Sequence, residues 1–293
     1  MTQNYSVRRI KHTIQAVAQV LRNVYQDVRI FLRLRHDEIV LRNRRIGDTN
    51  ILVRADEDPG RDIYLFGKYE ENESDFVLSR IRESDVCFDV GANVGYYTLM
   101  LAQRAKRGSV HAFEPVPLNF HILNTNVLAN KLRNVIVNNC AVGDGEGTTE
   151  FVVATDAAYS SMVDTRRKSI AERIVVPVVT LDSYCASHGI ERIDFIKADV
   201  EGAEGQVVRG AAGLLADKDR RPRLIMLELH EPMLQRYRSS VDNIVRTLQS
   251  YDYKAVVSDR GGIVTFEPER SGAVYNVCFL SNAYRSELLR EAY

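Results

Sequence analysis

Asp89-Val90-Gly91-Ala92-Asn93-Val94-Gly95-Tyr96-Tyr97 is the stretch whose reading decides the fold of this chain. Ahead of it, Val86-Cys87-Phe88 is an apolar run of the kind a buried parallel strand needs. Behind it, Thr98-Leu99-Met100-Leu101-Ala102 reads as the start of a packed helix. Strand, glycine turn and helix bring a nucleotide-like ligand against bare backbone at a helix N-terminus. The glycine spacing narrows the ligand. A dinucleotide fingerprint, G-x-G-x-x-G, sets glycines against a pyrophosphate, but here Asn93 and Tyr96 stand where its second and third glycines fall. The pattern is acidic-x-Gly-x-x-x-Gly, which suits a ligand carrying an ammonium and a carboxylate. Asp89 is expected to reach the ammonium, directly or through water, and Gly91 to let the backbone come close.

Val110-His111-Ala112-Phe113 reads as the next strand, and Glu114-Pro115 follows at its end. An acidic residue about twenty positions beyond such a turn is where a ribose diol is held. From residue 86 onward strands and helices alternate. Strands are expected at 86–90, 109–113, 134–139, 193–198, 223–229, 253–258 and 274–280, and helices near 95–106, 117–130, 204–215 and 240–250. Such alternation implies an α/β, doubly wound, mostly parallel sheet with helices on both faces. Residues 144–180 interrupt it, with strand-like runs at 148–153 and 174–179. This insertion is expected to fold over the C-terminal edge of the sheet, where the ligand crevice lies, as a substrate lid.

Residues Asp89 to Tyr97, Phe113-Glu114-Pro115 with Asn119-Phe120, Val178-Val179-Thr180-Leu181-Asp182 and Lys197-Ala198-Asp199-Val200-Glu201-Gly202-Ala203-Glu204 together resemble the FkbM family of S-adenosylmethionine-dependent methyltransferases. The resemblance runs from about Tyr69 to Leu280. It implies a Rossmann-like methyltransferase fold with the last strand antiparallel, and S-adenosyl-L-methionine as cofactor. It also implies methyl transfer to a hydroxyl of a sugar or polyketide-like small molecule or glycan. Its cofactor residues map onto Asp89, Gly91, Asn93, Gly95, Tyr96, Glu114 and Pro115, with Ala141 and Val142 beside the adenine. Tyr69-Glu70 is expected to close over the cofactor. Ser160-Ser161 matches a serine pair of the family, with a solvated loop as the alternative reading.

Methyl transfer to oxygen needs a positioned nucleophile and a way to remove its proton. Alternation puts Lys197 and Asp199 on one side of their strand, with Asp199 at its C-terminal end. Asp199 could hold the acceptor hydroxyl, take its proton, or bind a divalent metal ion. Glu201 and Glu204 fit an acidic helix start. Leu224-Ile225-Met226-Leu227-Glu228-Leu229-His230 is the next strand, and Glu228 and His230 share one side of it. His230 is the natural neutral-pH base, with Glu228 orienting it or joining Asp199 at a metal.

Composition sets outer bounds. Lys plus Arg and Asp plus Glu number 39 each, so there is no global footprint for nucleic acid. Residues 1–46 nevertheless hold ten Lys/Arg against three acids. Apolar residues there recur at three and four from Ile10 to Leu32, a basic amphipathic helix expected on an anionic membrane, on a second subunit, or on its own domain. Two units are expected. Residues 1–68 form an N-terminal helical and small-sheet extension, with strands near 39–41, 51–53 and 63–66. Residues 69–293 form the methyltransferase domain. No C-x-x-C pair and no apolar run of membrane-spanning length occurs, so a cytoplasmic protein, peripheral at the inner membrane face if the basic helix docks there, is expected. Two competing readings stay open: a nicotinamide-dependent oxidoreductase and a non-catalytic cofactor-binding scaffold.

Overall fold

The computed structural model describes residues 41–154, 160–162, 170–259, 262–267 and 274–291. The basic helix expected over residues 6–34, with the membrane or subunit contact assigned to it, lies outside the described residues. Among those described, no helix is long and apolar enough to cross a membrane.

The chain opens with a hairpin of β1 (Leu41–Ile46) and β2 (Thr49–Arg54), in which Ile46 faces Thr49 across Gly47-Asp48. Helix α1 (Gly60–Phe66) follows, where the sequence reads as a strand. The apolar run 63–66 is too short for its period to separate the two. The approach of backbone to backbone decides it: a Cβ on Gly60 would lie 2.0 Å from the Arg54 carbonyl oxygen. The chain therefore doubles back, and Arg61 N bonds Glu57 O at 2.8 Å and Ile63 N bonds Pro59 O at 3.0 Å. Helix α2 (Glu71–Leu78) then leads into the main sheet.

The alternating part runs β3 (Val86–Val90), α3 (Tyr96–Arg104), β4 (Ser109–Phe113), α4 (Pro117–Ala129) and β5 (Val135–Asn138). Strand β6 (Ala141–Val142) comes next, and the insertion supplies β7 (Gly147–Ala154) and β8 (Ile170–Val179). Then come α5 (Leu181–His188), β9 (Phe195–Ala198), α6 (Glu204–Arg209), α7 (Ala212–Ala216), β10 (Leu224–His230), α8 (Glu231–Arg236) and α9 (Val241–Ser250). The chain closes with β11 (Tyr253–Asp259), β12 (Gly262–Thr265), β13 (Val274–Ser281) and α10 (Asn282–Glu291).

The main sheet has the order β12-β11-β13-β10-β9-β3-β4-β5. Strands β10, β9, β3, β4 and β5 are parallel, and β13 is inserted antiparallel between β10 and β11. This is the Rossmann-like methyltransferase arrangement, with its last sheet strand antiparallel. Strand order reverses between β3 and β9, and a doubly wound sheet binds its ligand outside the carboxyl ends of the strands at that point.

The central strands are apolar on both sides because helices cover both sides. Phe88, Phe113, Ile196, Leu227 and Phe279 face one core together with α5, α6, α7 and α9. Cys87, Val110, Phe195, Met226 and Cys278 face the other with α2, α3 and α4. Helix α9 shows how the sequence does this locally. Val241, Ile244, Val245 and Leu248 are its buried face, and the Ser240 hydroxyl accepts from Asn243 N at 3.1 Å to cap it.

The helix expected over 204–215 is two helices. A Cβ on Gly210 would lie 2.0 Å from the Gly143 carbonyl oxygen, so the chain steps aside at Gly210-Ala211. The two insertion strands join β6 in a three-stranded sheet of order β6-β8-β7, with β7 antiparallel to β8.

The segment ahead of residue 69 is continuous with the main domain from Thr49 on. Ile51, Val53 and Ile63 are fully buried in the same core as α3 and α4. Asn126 of α4 accepts from Leu52 N at 2.7 Å and donates to Leu52 O at 2.8 Å, a strand-like pairing made by a side chain. Ile51→Ala should therefore cost about 2–5 kcal/mol of stability, the range for emptying a core isoleucine site, read from urea unfolding followed by far-UV circular dichroism. A loss below about 1 kcal/mol would mean that β2 is not part of the folding unit.

Candidate active site

The turn after β3 is held from three sides. Gly91 has φ +79° and Gly95, the N-cap of α3, has φ +96°. Gly91 N and Ala92 N both donate to Phe113 O, at 3.0 Å each. Asn93, at φ +50°, donates its N–H to Glu114 Oε2 at 2.8 Å. The other oxygen of Glu114 accepts from Val116 N at 2.9 Å. One carboxylate thus ties the turn after β3 to the turn after β4. Burial pushes that carboxyl up to about 7, against the two N–H donors that favour its ionised form.

Asp89 lies beneath this turn and does not line the cavity. It is fully buried, accepts from Thr98 Oγ1 at 2.5 Å, and has the Lys197 ammonium 4.0 Å from its other oxygen. Burial raises its pKa, opposed by Lys197 and by the Thr98 hydrogen bond. Strand β9 places Lys197 directly across from Asp89 in the β3–β9 ladder. The Lys197 Nζ donates to Asp199 Oδ2 at 3.3 Å and sits 5.0 Å from the centre of the Tyr97 ring. Burial alone would lower its pKa, but Asp199, Asp89 and Glu70 outweigh burial and hold it as a cation.

Glu70, at φ +48° ahead of α2, accepts from Tyr97 OH and from Asn276 Nδ2, each at 2.8 Å. Asn276 is the residue opposite Glu228 in the β10–β13 ladder. Beyond Asp199 the chain is fixed by Glu204, whose Oε1 accepts from Val200 N at 2.9 Å and Gly202 N at 3.3 Å. Glu204 therefore does the work of a helix-start acid, and burial pushes its carboxyl up to about 7. Glu201, by contrast, lines the cavity at φ +54°.

These elements enclose a cavity of about 1120 Å³ counted out to its mouth. Of the residues expected to hold cofactor, Gly91, Asn93, Tyr96, Glu114, Pro115, Ala141 and Val142 line it, while Asp89 and Gly95 do not. Of those expected in catalysis, Asp199 and Glu228 line it and His230 does not. Tyr69 forms part of the wall. Glu228 is raised well above the usual carboxylate range, first by burial and then by Asp199, Glu201, Glu204 and Glu70. Phe151, Ser160 and Met162 of the insertion also line the cavity, and Phe151 and Met162 pack with Val116 and Ala141. Among the described residues, no group of three or more His, Cys, Asp or Glu side chains is arranged to hold a metal ion.

Sequence reasoning passed over Lys197 as a wall residue, and also Tyr97, Asp58 and Asn276. Lys197 left a signal, a lone cation between apolar neighbours in a central strand, since a lysine is rarely buried unless paired. Asp58 and Asn276 left none. They reach the site only through the hairpin's packing and the β13 register.

A reversed α/β sheet with its last strand antiparallel, and a cavity at the reversal point, define a methyltransferase of the Rossmann-like class. A sequence model of the methyltransferase FkbM domain matches residues 89–255, more than half of the chain. The protein belongs to the FkbM methyltransferase family. The 31-O-demethyl-FK506 methyltransferase FkbM of Streptomyces tacrolimicus is 29% identical over 180 residues, covering 52% of this chain and 67% of that protein. The hexuronic acid methyltransferase AglP of Haloferax volcanii is 26% identical over 154 residues, covering 53% of this chain and 59% of that protein. Methyltransferase sdnD of Sordaria araneosa is 25% identical over 162 residues and is covered for 62% of its length. The chain thus spans about three fifths to two thirds of these curated relatives. Among solved structures, M. jannaschii TYW2 in complex with AdoMet aligns at 14% identity and a TM-score of 0.43, over 83% of this chain and 86% of that one. That likeness is too loose to inform the chemistry.

Two outcomes follow from the site's construction. A Cβ on Gly91 would lie 1.9 Å from the Asp199 carbonyl oxygen, so the glycine answers to the β3–β9 contact as well as to any ligand. Gly91→Ala should lower the thermal midpoint and the ligand affinity together; a full-stability variant that only loses ligand would contradict this packing. Glu204 supplies a pH signature. Its carboxyl holds a proton up to about 7 in the folded protein and up to 4.5 when unhindered. The stability it contributes is therefore complete below pH 4.5 and is lost as pH rises through about 7. Glu114 acts in the same sense. Urea midpoints should fall over that window, and fall less in Glu204→Gln; parallel curves would show that Glu204 ionises normally.

Proposed function

We propose that this protein transfers a methyl group from S-adenosyl-L-methionine to a hydroxyl oxygen of a sugar or polyketide-like small molecule or glycan. One observation carries the reading: a single cavity with a nucleoside-type end and a carboxylate end. At the first end stand the Gly91 turn, the Glu114 carboxylate and the Ala141-Val142 backbone. At the second stand Asp199 and Glu228, on the adjoining strands β9 and β10.

The residues present fit the cofactor. Glu114 uses one lone pair of each oxygen on backbone N–H groups, and the remaining pairs can accept ribose hydroxyls. Pro115, Val116, Ala141 and Val142 offer an apolar slot for a base. When bound, the cofactor supplies an electrophilic sulfonium methyl.

The chain's own residues do the rest. Glu228 takes the acceptor hydroxyl's proton, because burial and its acidic neighbours bring its pKa toward the working range of a general base. Asp199, fixed by Lys197, accepts a hydrogen bond from the acceptor and orients it. This assigns to Glu228 the base role expected of His230. The name of the FkbM relative, a 31-O-demethyl-FK506 methyltransferase, supports an oxygen acceptor. A divalent cation at Asp199 and Glu228 is the second arrangement that two carboxylates permit. Loss of activity to a chelator, restored by magnesium or manganese, would favour it.

Calorimetry should show binding of S-adenosylmethionine and S-adenosylhomocysteine and none of NAD; the reverse pattern would sink the reading. Glu228→Gln should lower turnover about a hundredfold or more. In the wild-type protein kcat/KM should rise with pH along a limb lying above the ordinary carboxylate value of 4.5, since the base acts ionised. In Asp199→Asn that limb should move to lower pH, because one neighbouring negative charge is gone. A limb that stays put would break the link between the two carboxylates.

A further inference from the structure

We propose that the transfer end of the cavity is an anionic subsite, so that the acceptor group it takes is neutral or positively charged and not an acid. The proposal names the acceptor class for the cofactor reading above and rests on it.

The charges on the wall carry the argument. Asp199, Glu201 and Glu228 line the cavity as neighbours at its transfer end, and Lys197 is the one Lys or Arg among the described lining residues. That ammonium is already committed. It donates to Asp199 at 3.3 Å and stands 4.0 Å from Asp89, with its side chain 5% exposed. Glu70, bonded to Tyr97 and Asn276, adds a further carboxylate behind the wall. An incoming carboxylate or phosphate therefore meets like charge, with no second Lys or Arg among the described lining residues to pair with it.

The loop that carries two of these acids is fixed at its backbone. Glu204 pins the Val200 and Gly202 amides. A Cβ on Gly202 would lie 2.7 Å from the Met233 carbonyl oxygen, so the loop carrying Asp199 and Glu201 is pressed against α8. The same field favours a cation at the transfer point, which is where a sulfonium stands. An acceptor bearing an ammonium beside its hydroxyl, such as an amino sugar, fits this wall. An acidic sugar does not, which separates this chain from its relative named for hexuronic acid.

Two measurements on the full chain test this. Calorimetry compares S-adenosylhomocysteine, neutral at sulfur, with sinefungin, which carries an amine in place of the methyl. Sinefungin should bind at least about tenfold tighter, the scale of one hydrogen bond between charged groups. The ratio should shrink toward one in Glu228→Gln. Equal affinities in the wild-type protein would overturn the proposal, while binding of neither ligand would remove the cofactor reading instead. In the second measurement, labelled S-adenosylmethionine is offered with pooled neutral, amino and carboxylated glycosides and macrolides. Label in neutral or amine-bearing products supports the anionic subsite, and label in a carboxylated product overturns it.

Discussion

A methyl group on Gly91 would stand 1.9 Å from the carbonyl oxygen of Asp199, and the rest of the site depends on how closely those two backbones meet. They belong to β3 and β9, the strands between which the sheet reverses. The parallel ladder continues past the strands as Asp199 N bonds Val90 O at 3.0 Å, so both turns leave the sheet from a fixed edge. One turn carries the glycines and meets Glu114. The other carries Asp199 and Glu201. Because the contact is backbone against backbone, neither turn can shift without moving the other. The nucleoside end and the carboxylate end of the cavity therefore keep a set separation, as group transfer between two bound molecules requires.

Holding several acids in a buried wall is costly, and the fold meets that cost in two ways. Some carboxylates accept from backbone amides: Glu114 from Asn93 and Val116 on its two oxygens, and Glu204 from Val200 and Gly202 on one. Others share one ammonium, as Asp89 and Asp199 share Lys197. Such a cation is stable only while its partners stay, since removing either one leaves an uncompensated buried charge. Glu228 has neither kind of help among its named neighbours. Burial and four nearby carboxylates raise its pKa, and a group shaped that way is suited to exchanging a proton rather than to holding the fold together.

The described part of the insertion packs beside the residues assigned to the base, Phe151 and Met162 against Val116 and Ala141. The reason is a pairing. Strand β6 follows β5 directly and joins β8 in parallel, Ala141 to Val178 and Val142 to Val179. That anchors the hairpin on the β4–β5 side of the reversal. Tyr69 joins the wall from far away in the chain, and next to it in sequence Glu70 accepts from Asn276 behind that wall.

The sequence by itself determined the alternating strands and helices, the glycine turn and the acids at the strand ends. These are local properties: apolar runs of strand length, glycines where φ must be positive, and carboxylates just past an apolar run. Strands β3 and β4 fall where the residues placed them, and Glu114 and Asp199 stand at the cavity as the spacing implied. Local chemistry failed where a contact between distant segments overrode it. The run 63–66 became a helix because Gly60 meets Arg54, and the helix over 204–215 broke because Gly210 meets Gly143. The same holds for the choice among candidate bases. Glu228 and His230 are two apart on one strand, and residue type alone favoured His230 as the base, but only Glu228 lines the cavity, opposite Asn276 in the register of β13. Which side chain faces a cavity is set by the elements that enclose it, and those elements come together only when the chain is folded.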